Sequence, residues 1–102
     1  MPAQMSFAEF LQSTAAGNPP PPGLSRALLA LWHDARGQWD TAHALAQEAE
    51  GKDGAWVHAY LHRQEGDEGN AGYWYRRAGR PAGQGELRAE WEAMVRALLA
   101  SR

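Results

Sequence analysis

Residues 54–81 read Gly-Ala-Trp-Val-His-Ala-Tyr-Leu-His-Arg-Gln-Glu-Gly-Asp-Glu-Gly-Asn-Ala-Gly-Tyr-Trp-Tyr-Arg-Arg-Ala-Gly-Arg-Pro, and this stretch decides the fold. Its apolar side chains recur at helical spacing on either side of Gly66-Asp67, a pair that ends a helix and favours a turn. The stretch therefore predicts a helix, a tight turn and a second helix. It also contains two of the four histidines, two of the five tryptophans and all three tyrosines, more functional side chains than a packing hairpin needs.

The same plan occurs once more, in the residues that precede this stretch. Shifting the sequence on itself by 29 residues superposes Ala30 on Ala59, His33 on His62, Gly37 on Gly66, Ala42 on Ala71, Ala46 on Tyr75 and Ala49 on Ala78. Alanine lets two helices approach closely where they cross, and glycine adopts the left-handed conformation of a tight turn. The repeat therefore predicts two helical hairpins over residues 24–81.

Local signals predict the ends of the helices in this region. The first helix is expected over residues 24–35, and the second is expected to begin at a cap on Asp40 or Thr41 and to run to about residue 50. Residues 51–54, Gly-Lys-Asp-Gly, are expected to form a turn in which Asp53 caps the following helix. The last helix of the pair is expected to end at a glycine shortly before a proline.

A further helix is predicted on each side of the hairpins. Residues 1–23 contain Ser6-Phe7-Ala8-Glu9, the pattern of a capping box, followed by four prolines that impose a stiff, extended spacer. Residues 82–102 contain an apolar stripe with acidic residues early and arginines late, as the helix dipole favours. We therefore expect one domain over residues 1–102, with a terminal helix capping each end of the hairpins.

The repeat resembles a tetratricopeptide repeat. Ala59, Gly66-Asp67 and the run Ala71-x3-Tyr75-x2-Ala78 match its pattern, and the residues up to Gly79 are also similar to the related Sel-like repeats. Residues 56–67, Trp-Val-His-Ala-x-Leu-His-Arg-x-Glu-Gly-Asp, are similar to a motif of small uncharacterised bacterial and fungal proteins. The resemblance implies an all-α, tetratricopeptide-like stack of antiparallel hairpins, although the period is shorter than the usual 34 or so residues.

The composition excludes several classes of function. A net charge of −2, with Lys52 as the only lysine, argues against binding to nucleic acid, which requires clustered basic residues. The chain has no cysteine, and it has no apolar run near the roughly 20 residues that span a bilayer. The N-terminus lacks the basic and apolar regions of a signal peptide. We therefore expect a cytoplasmic protein that binds neither nucleic acid nor membrane.

The histidines predict a metal site. His58, His62 and Glu65 follow at i, i+4 and i+7, which places them on one face of one helix. Two imidazoles and a carboxylate in this arrangement can bind a divalent metal ion. A further strong ligand would have to come from another helix that the fold brings close, and His33 and His43 are the candidates. The alternative is that these histidines pack or hydrogen-bond between helices without any ligand.

The same histidines also predict a polar pocket for a small anion or a peptide. Histidines and arginines together are common where acidic groups are bound, and tryptophans can form pocket walls that exclude water. The alternative for Arg77 is a weak surface ion pair with Glu65 or Asp67. The predicted ligand-binding residues are His43, Gln47, His58, His62, Arg63, Asn70, Arg76 and Arg77.

Three functions remain open after these observations. The first expectation is a scaffold module that binds a protein or peptide on the face carrying His43, His58 and His62. The alternative is a pocket in which these histidines bind a small anionic ligand or a divalent metal ion. A homodimer formed through apolar helix edges is a third use. Nucleophilic catalysis is not expected, because no serine lies in a nucleophile motif, and no cofactor is expected, because no glycine-rich phosphate loop is present. Acid–base catalysis by a histidine stays open, although no pattern in the sequence favours it.

Overall fold

The computed structural model describes residues 5–101, and within this range the protein is entirely α-helical, without strands. Residues 1–4 of the predicted N-terminal segment and Arg102 of the C-terminal one lie outside the described residues. The helices are α1 (Phe7–Ser13), α2 (Arg26–Ala35), α3 (Trp39–Glu48), α4 (Gly51–Gln64), α5 (Glu68–Ala78) and α6 (Leu87–Ala100). None of these helices combines the length and the apolar character that crossing a bilayer requires.

Helix α4 forms the centre of the bundle. It packs against α2, α3, α5 and α6, and every residue from Gly54 to Leu61 is buried. Trp56 and Tyr60 are buried on one side of this helix and His58 on the other. Two residues along a helix are about 200° apart, so His58 lies nearly opposite Trp56 and Tyr60, and burial of both faces places this helix at the centre of the bundle.

The local signals at three turns act as the sequence predicts. Ser6 accepts a hydrogen bond from the backbone of Glu9, whose side chain accepts one from the Ser6 backbone, so the capping box is present. Asp67 caps α5 by accepting from the backbone N–H of Asn70. Gly79 ends α5 in the left-handed conformation, at φ +70°. These ends depend only on neighbours in the sequence, which is why they are predictable.

The turn predicted at residues 51–54 is wrong, because α4 already begins at Gly51. Only two residues connect it to the end of α3, and Asp53 lies inside its first turn rather than at the cap. The close connection depends on Gly54: a Cβ atom at this position would collide with the backbone carbonyl of Ala49. Glycine here thus allows α4 to pass directly over the end of α3.

The predicted start of α3 is also wrong. This helix begins at Trp39 after Gln38, so Asp40 and Thr41 lie in its first turn and do not cap it. Two contacts fix the earlier start: the Trp39 indole N–H donates to the Leu61 carbonyl, at 3.2 Å, and the Gln38 side chain is hydrogen-bonded to His33. A tertiary contact to α4 therefore overrides the local capping signal.

The two terminal helices meet each other. Phe7 and Phe10 of α1 contact the Trp91 ring of α6, with centroids 6.2 and 6.0 Å apart. The Trp91 indole N–H donates to the Leu31 carbonyl of α2 at 3.0 Å. The sequence predicts that α6 closes the far end of a hairpin stack, but it packs mainly across α2 and α4. Helix α6 therefore covers part of the surfaces of α2 and α4.

Candidate functional site

Three of the four histidines meet between α3 and α4. His43 comes from α3, and His58 and His62 come from successive turns of α4. The Nε2 atoms of His43 and His58 are 3.0 Å apart, and one ring nitrogen from each of the three residues lies within 4.8 Å of the others. We call these three residues the histidine triad. His33 lies outside the triad and is hydrogen-bonded to Gln38 at 2.7 Å.

Two tryptophans hold the rings of the triad in place. Trp39 stacks on His43, with centroids 4.7 Å apart and planes at 9°, and Trp74 stacks on His58 at 4.0 Å and 13°. His58 and His62 also stack on each other, with centroids 4.9 Å apart. Trp74 and His62 enclose the His58 ring on both faces, and Trp39 covers one face of His43, so these rings have little freedom to rotate.

An acidic side chain orients the third histidine. Glu65 accepts a hydrogen bond from Nδ1 of His62, at 2.8 Å. A carboxylate in this position selects the tautomer that carries the proton on Nδ1, which leaves Nε2 as the nitrogen with a free lone pair. The same partnership makes an imidazole a stronger ligand for a metal ion, since the carboxylate raises its basicity.

His43 and His58 are neutral near pH 7. Burial, followed by the neighbouring His43 and His62, lowers the pKa of His58 to about 4. Burial also lowers the pKa of His43, and the nearby His62 lowers it further. Only 5% of His58 is exposed to solvent. A buried, neutral imidazole keeps its lone pair available, which is the form in which histidine binds metal ions.

The predicted metal set is rearranged in the structure. His58 and His62 lie together as the helical spacing predicts, but His43 supplies the third nearby nitrogen. Glu65 contacts His62 and forms a second group with His62 and Asp67, at the exposed edge of the site. Glu65 is therefore the hydrogen-bond partner of His62, and His43 takes its place among the three candidate ligands.

The predicted ligand-binding residues divide into two groups. Gln47 and Arg77 line a groove next to His58, and so lie beside the triad. Arg63 instead forms an ion pair with Glu90 at 2.7 Å, and Asn70 is hydrogen-bonded to Asp67 in the cap of α5.

Two arginines of α5 point to different places. Arg76 is exposed, with its guanidinium near Gly72, and is not brought to the histidines. Arg77 does not pair with Glu65 or Asp67, because its guanidinium lies 5.3 Å over the Trp74 ring and donates to the Tyr73 hydroxyl at 3.0 Å. The expected surface ion pair is therefore absent from the described residues.

The sequence predicts tryptophan walls for the pocket but does not show which of the five tryptophans form them. Trp32, Trp56 and Trp91 are core residues, as expected for aromatic side chains at helical spacing. Trp39 and Trp74 are half-buried and cover the triad instead. A signal for Trp39 was available, since Trp39 precedes His43 by four residues and so shares its helix face.

Comparison of the chain with protein-family models, curated proteins and solved structures finds no match.

Proposed function

We propose that this protein binds one divalent transition-metal ion through the histidine triad. The observation that carries the proposal is the convergence of three ring nitrogens, from His43, His58 and His62, within 4.8 Å of one another. A tetrahedral ion with Zn–N bonds of about 2.0–2.1 Å needs ligand nitrogens roughly 3.3 Å apart. The 3.0 Å between the Nε2 atoms of His43 and His58 is close to this separation.

The chemistry of the donors favours particular metals. Neutral imidazole binds zinc, copper and nickel, whereas magnesium and calcium prefer oxygen ligands. Zinc sites with three protein ligands keep one further position for water or another small ligand. We therefore propose Zn²⁺ as the ion, held by three histidines, with Glu65 behind His62 and the two tryptophans excluding water from the rings.

The overall architecture supports a related proposal about the fold. The pairing of α2 with α3 and of α4 with α5, together with the 29-residue repeat in the sequence, supports two hairpins of a tetratricopeptide-like stack. Binding of a protein or peptide, the first expectation from the sequence, stays a prediction, and so does a homodimer. The covering of α2 and α4 by α6 leaves less open surface for an extended peptide than two bare hairpins would offer.

Zinc titration of the chelator-treated protein tests the proposed function. Isothermal titration calorimetry is expected to show one Zn²⁺ per chain, and Co²⁺ in its place is expected to give the visible absorption of a tetrahedral site. His43→Ala and His62→Ala should each weaken binding by about 100-fold, since each removes one of three ligands. His43 is half-buried and 12% of the His62 side chain is exposed, so circular dichroism is recorded for both variants to check that they fold.

His33→Ala is the matched control for this experiment. His33 belongs to the neighbouring helix α2, is half-buried like His43, and makes its own hydrogen bond outside the triad. This variant should bind zinc as the wild type does. Equal zinc affinities for the wild type, His43→Ala and His62→Ala would contradict the proposal and leave the histidines as packing residues.

A further inference from the structure

A groove adjoins the histidine triad on the side of α5. It has a volume of about 670 Å³ and lies between the end of α3, the start of α4 and the face of α5. His58 and Trp74 form one wall, and Ala46, Ala49 and Ala55 contribute apolar surface. Ligand pockets in proteins commonly have volumes of about 300–1,000 Å³, with mostly apolar walls and a few polar groups that fix the ligand.

The charged residues of the groove are mainly positive. Lys52 and Arg77 are cationic, and Glu50 is anionic. Within residues 5–101, neither Lys52 nor Arg77 forms an ion pair with a carboxylate. The groove therefore carries an excess positive charge that no side chain of the described region neutralises.

The two cations come from different helices. The guanidinium of Arg77 lies over the Trp74 ring and is hydrogen-bonded to the Tyr73 hydroxyl, which orients its remaining N–H groups. Lys52 reaches from the first turn of α4 to the end of α5, where its Nζ lies 3.7 Å from the position that a Cβ of Gly79 would take. A planar guanidinium and an ammonium that line the same groove are suited to bind the oxygens of a carboxylate or phosphate.

We propose that this groove binds a small organic anion, with its carboxylate or phosphate group on Lys52 and Arg77. The apolar part of the ligand packs on Trp74 and the alanines, and Gln47 is the neutral polar group at the rim. The site shares His58 with the triad, so the anion would lie beside the proposed metal ion. The proposal does not depend on the metal, because both cations and the apolar wall belong to the protein itself.

Three aromatic probes of similar size test the proposal on metal-free protein. Benzoate and phenyl phosphate carry the proposed anionic groups, whereas benzamide has nearly the shape of benzoate without its charge. Titrations followed by NMR are expected to shift the indole N–H of Trp74 and the Nε–H of Arg77. Benzamide should bind at least about tenfold more weakly than the anions, and the tighter of the two anions identifies the preferred group.

Substitutions at the two cations locate the binding site. Arg77→Met and Lys52→Met keep most of the aliphatic side chain, and each should weaken benzoate and phenyl phosphate binding by about fivefold or more. Arg88→Met is the matched control, because Arg88 also lies over a tryptophan, Trp91, but on α6 and away from the groove. This variant should bind both anions as the wild type does.

The results separate this proposal from the proposed metal site. Equal affinities for benzoate and benzamide, or anion binding unchanged in both Arg77→Met and Lys52→Met, would overturn the anion site. Both results leave zinc binding untouched, since neither substituted residue is a triad ligand. Conversely, anion binding that persists in His43→Ala, which lacks one zinc ligand, would support the groove even if the chain bound no metal.

Discussion

The rings of His43 and His58 meet edge to face, with their Nε2 atoms 3.0 Å apart. At this distance, in the absence of a metal ion, one nitrogen donates a proton and the other accepts it, so only one of the two Nε2 atoms is protonated. One added proton keeps the hydrogen bond, because the charged ring donates and the neutral ring accepts, but protonating both rings would break it and place two positive charges side by side. The pair is therefore stable only while at least one ring is neutral.

The first prediction concerns acid. The pKa of His58 falls from the ordinary 6.5 to about 4 in the folded protein, so between these values the unfolded chain binds a proton that the folded one does not. Stability is then full above pH 6.5 and decreases as the pH falls towards 4, by an amount on the order of 2–3 kcal/mol. Urea unfolding of metal-free protein at several pH values measures this decrease.

His58→Gln isolates the contribution of this residue to the pH dependence. Glutamine keeps a hydrogen-bonding group beside His43 but cannot titrate. The difference in unfolding free energy between the wild type and this variant should shrink from pH 7 to pH 4.5. A difference that stays constant over this range would show that His58 titrates normally in the folded protein.

The second prediction concerns the residue behind the metal ligand. Glu65→Ala removes the carboxylate that accepts from Nδ1 of His62, so the ring loses its fixed tautomer and part of its basicity. Zinc affinity should fall by about 10- to 100-fold, with little change in thermal stability of the metal-free protein. Glu68→Ala, an exposed acidic residue in the first turn of α5, serves as the control and should leave zinc affinity unchanged. Equal zinc affinity in both variants would make the Glu65 contact a surface ion pair without influence on the metal.

The third prediction concerns the passage of α4 over α3. Gly54→Ala should lower the free energy of unfolding by about 2 kcal/mol or more, because the added methyl group would collide with the Ala49 carbonyl and force the helices apart. Gly69→Ala adds the same methyl group near the start of α5, where its nearest neighbour is the Asp67 side chain at 4.0 Å. There alanine should be neutral or stabilise by up to about 1 kcal/mol through helix propensity. Urea unfolding compares the two variants, and equal effects would contradict the close approach.

The fourth prediction concerns a polar cluster opposite the histidines. Glu90 accepts hydrogen bonds from Arg63 at 2.7 Å and from the Tyr75 hydroxyl at 2.5 Å, and only 10% of its side chain is exposed. Glu90→Gln leaves Arg63 with an uncompensated charge and should destabilise by about 1–3 kcal/mol. Glu92→Gln, on the same helix, removes an exposed pair with Arg88 and should cost no more than about 0.5 kcal/mol. Thermal unfolding at pH 7 measures both, and a cost for Glu90→Gln as small as for Glu92→Gln would show that the cluster is not important for stability.

The sequence predicts features that depend on neighbouring residues. The capping box at Ser6, the end of α5 at Gly79 and the shared face of His58 and His62 all follow from spacings of a few residues. These are local properties, so they can be read without knowing how the helices pack. The same holds for the all-α class, which follows from the period of the apolar side chains.

Features that depend on contacts between helices could not be predicted in this way. The sequence shows which residues share a face of α3 but not how α3 is rotated on α4, so His43 was only one of two candidates to join His58 and His62. Arg63 follows His62 directly, yet one residue turns it by about 100° around the helix. It therefore faces Glu90 of α6, whose position depends on the packing of the whole bundle.

The burial of α4 on all sides also determines when the site can open. Amide hydrogens in the most enclosed helix of a small domain exchange with solvent only when the whole molecule unfolds. Two residues of the triad belong to this helix, and the third is packed against it. The triad should therefore form and dissolve in one cooperative step with the fold, and no partly open form should keep the core while losing the three histidines. A ligand bound there would slow hydrogen exchange throughout the protein, not only in its own neighbourhood.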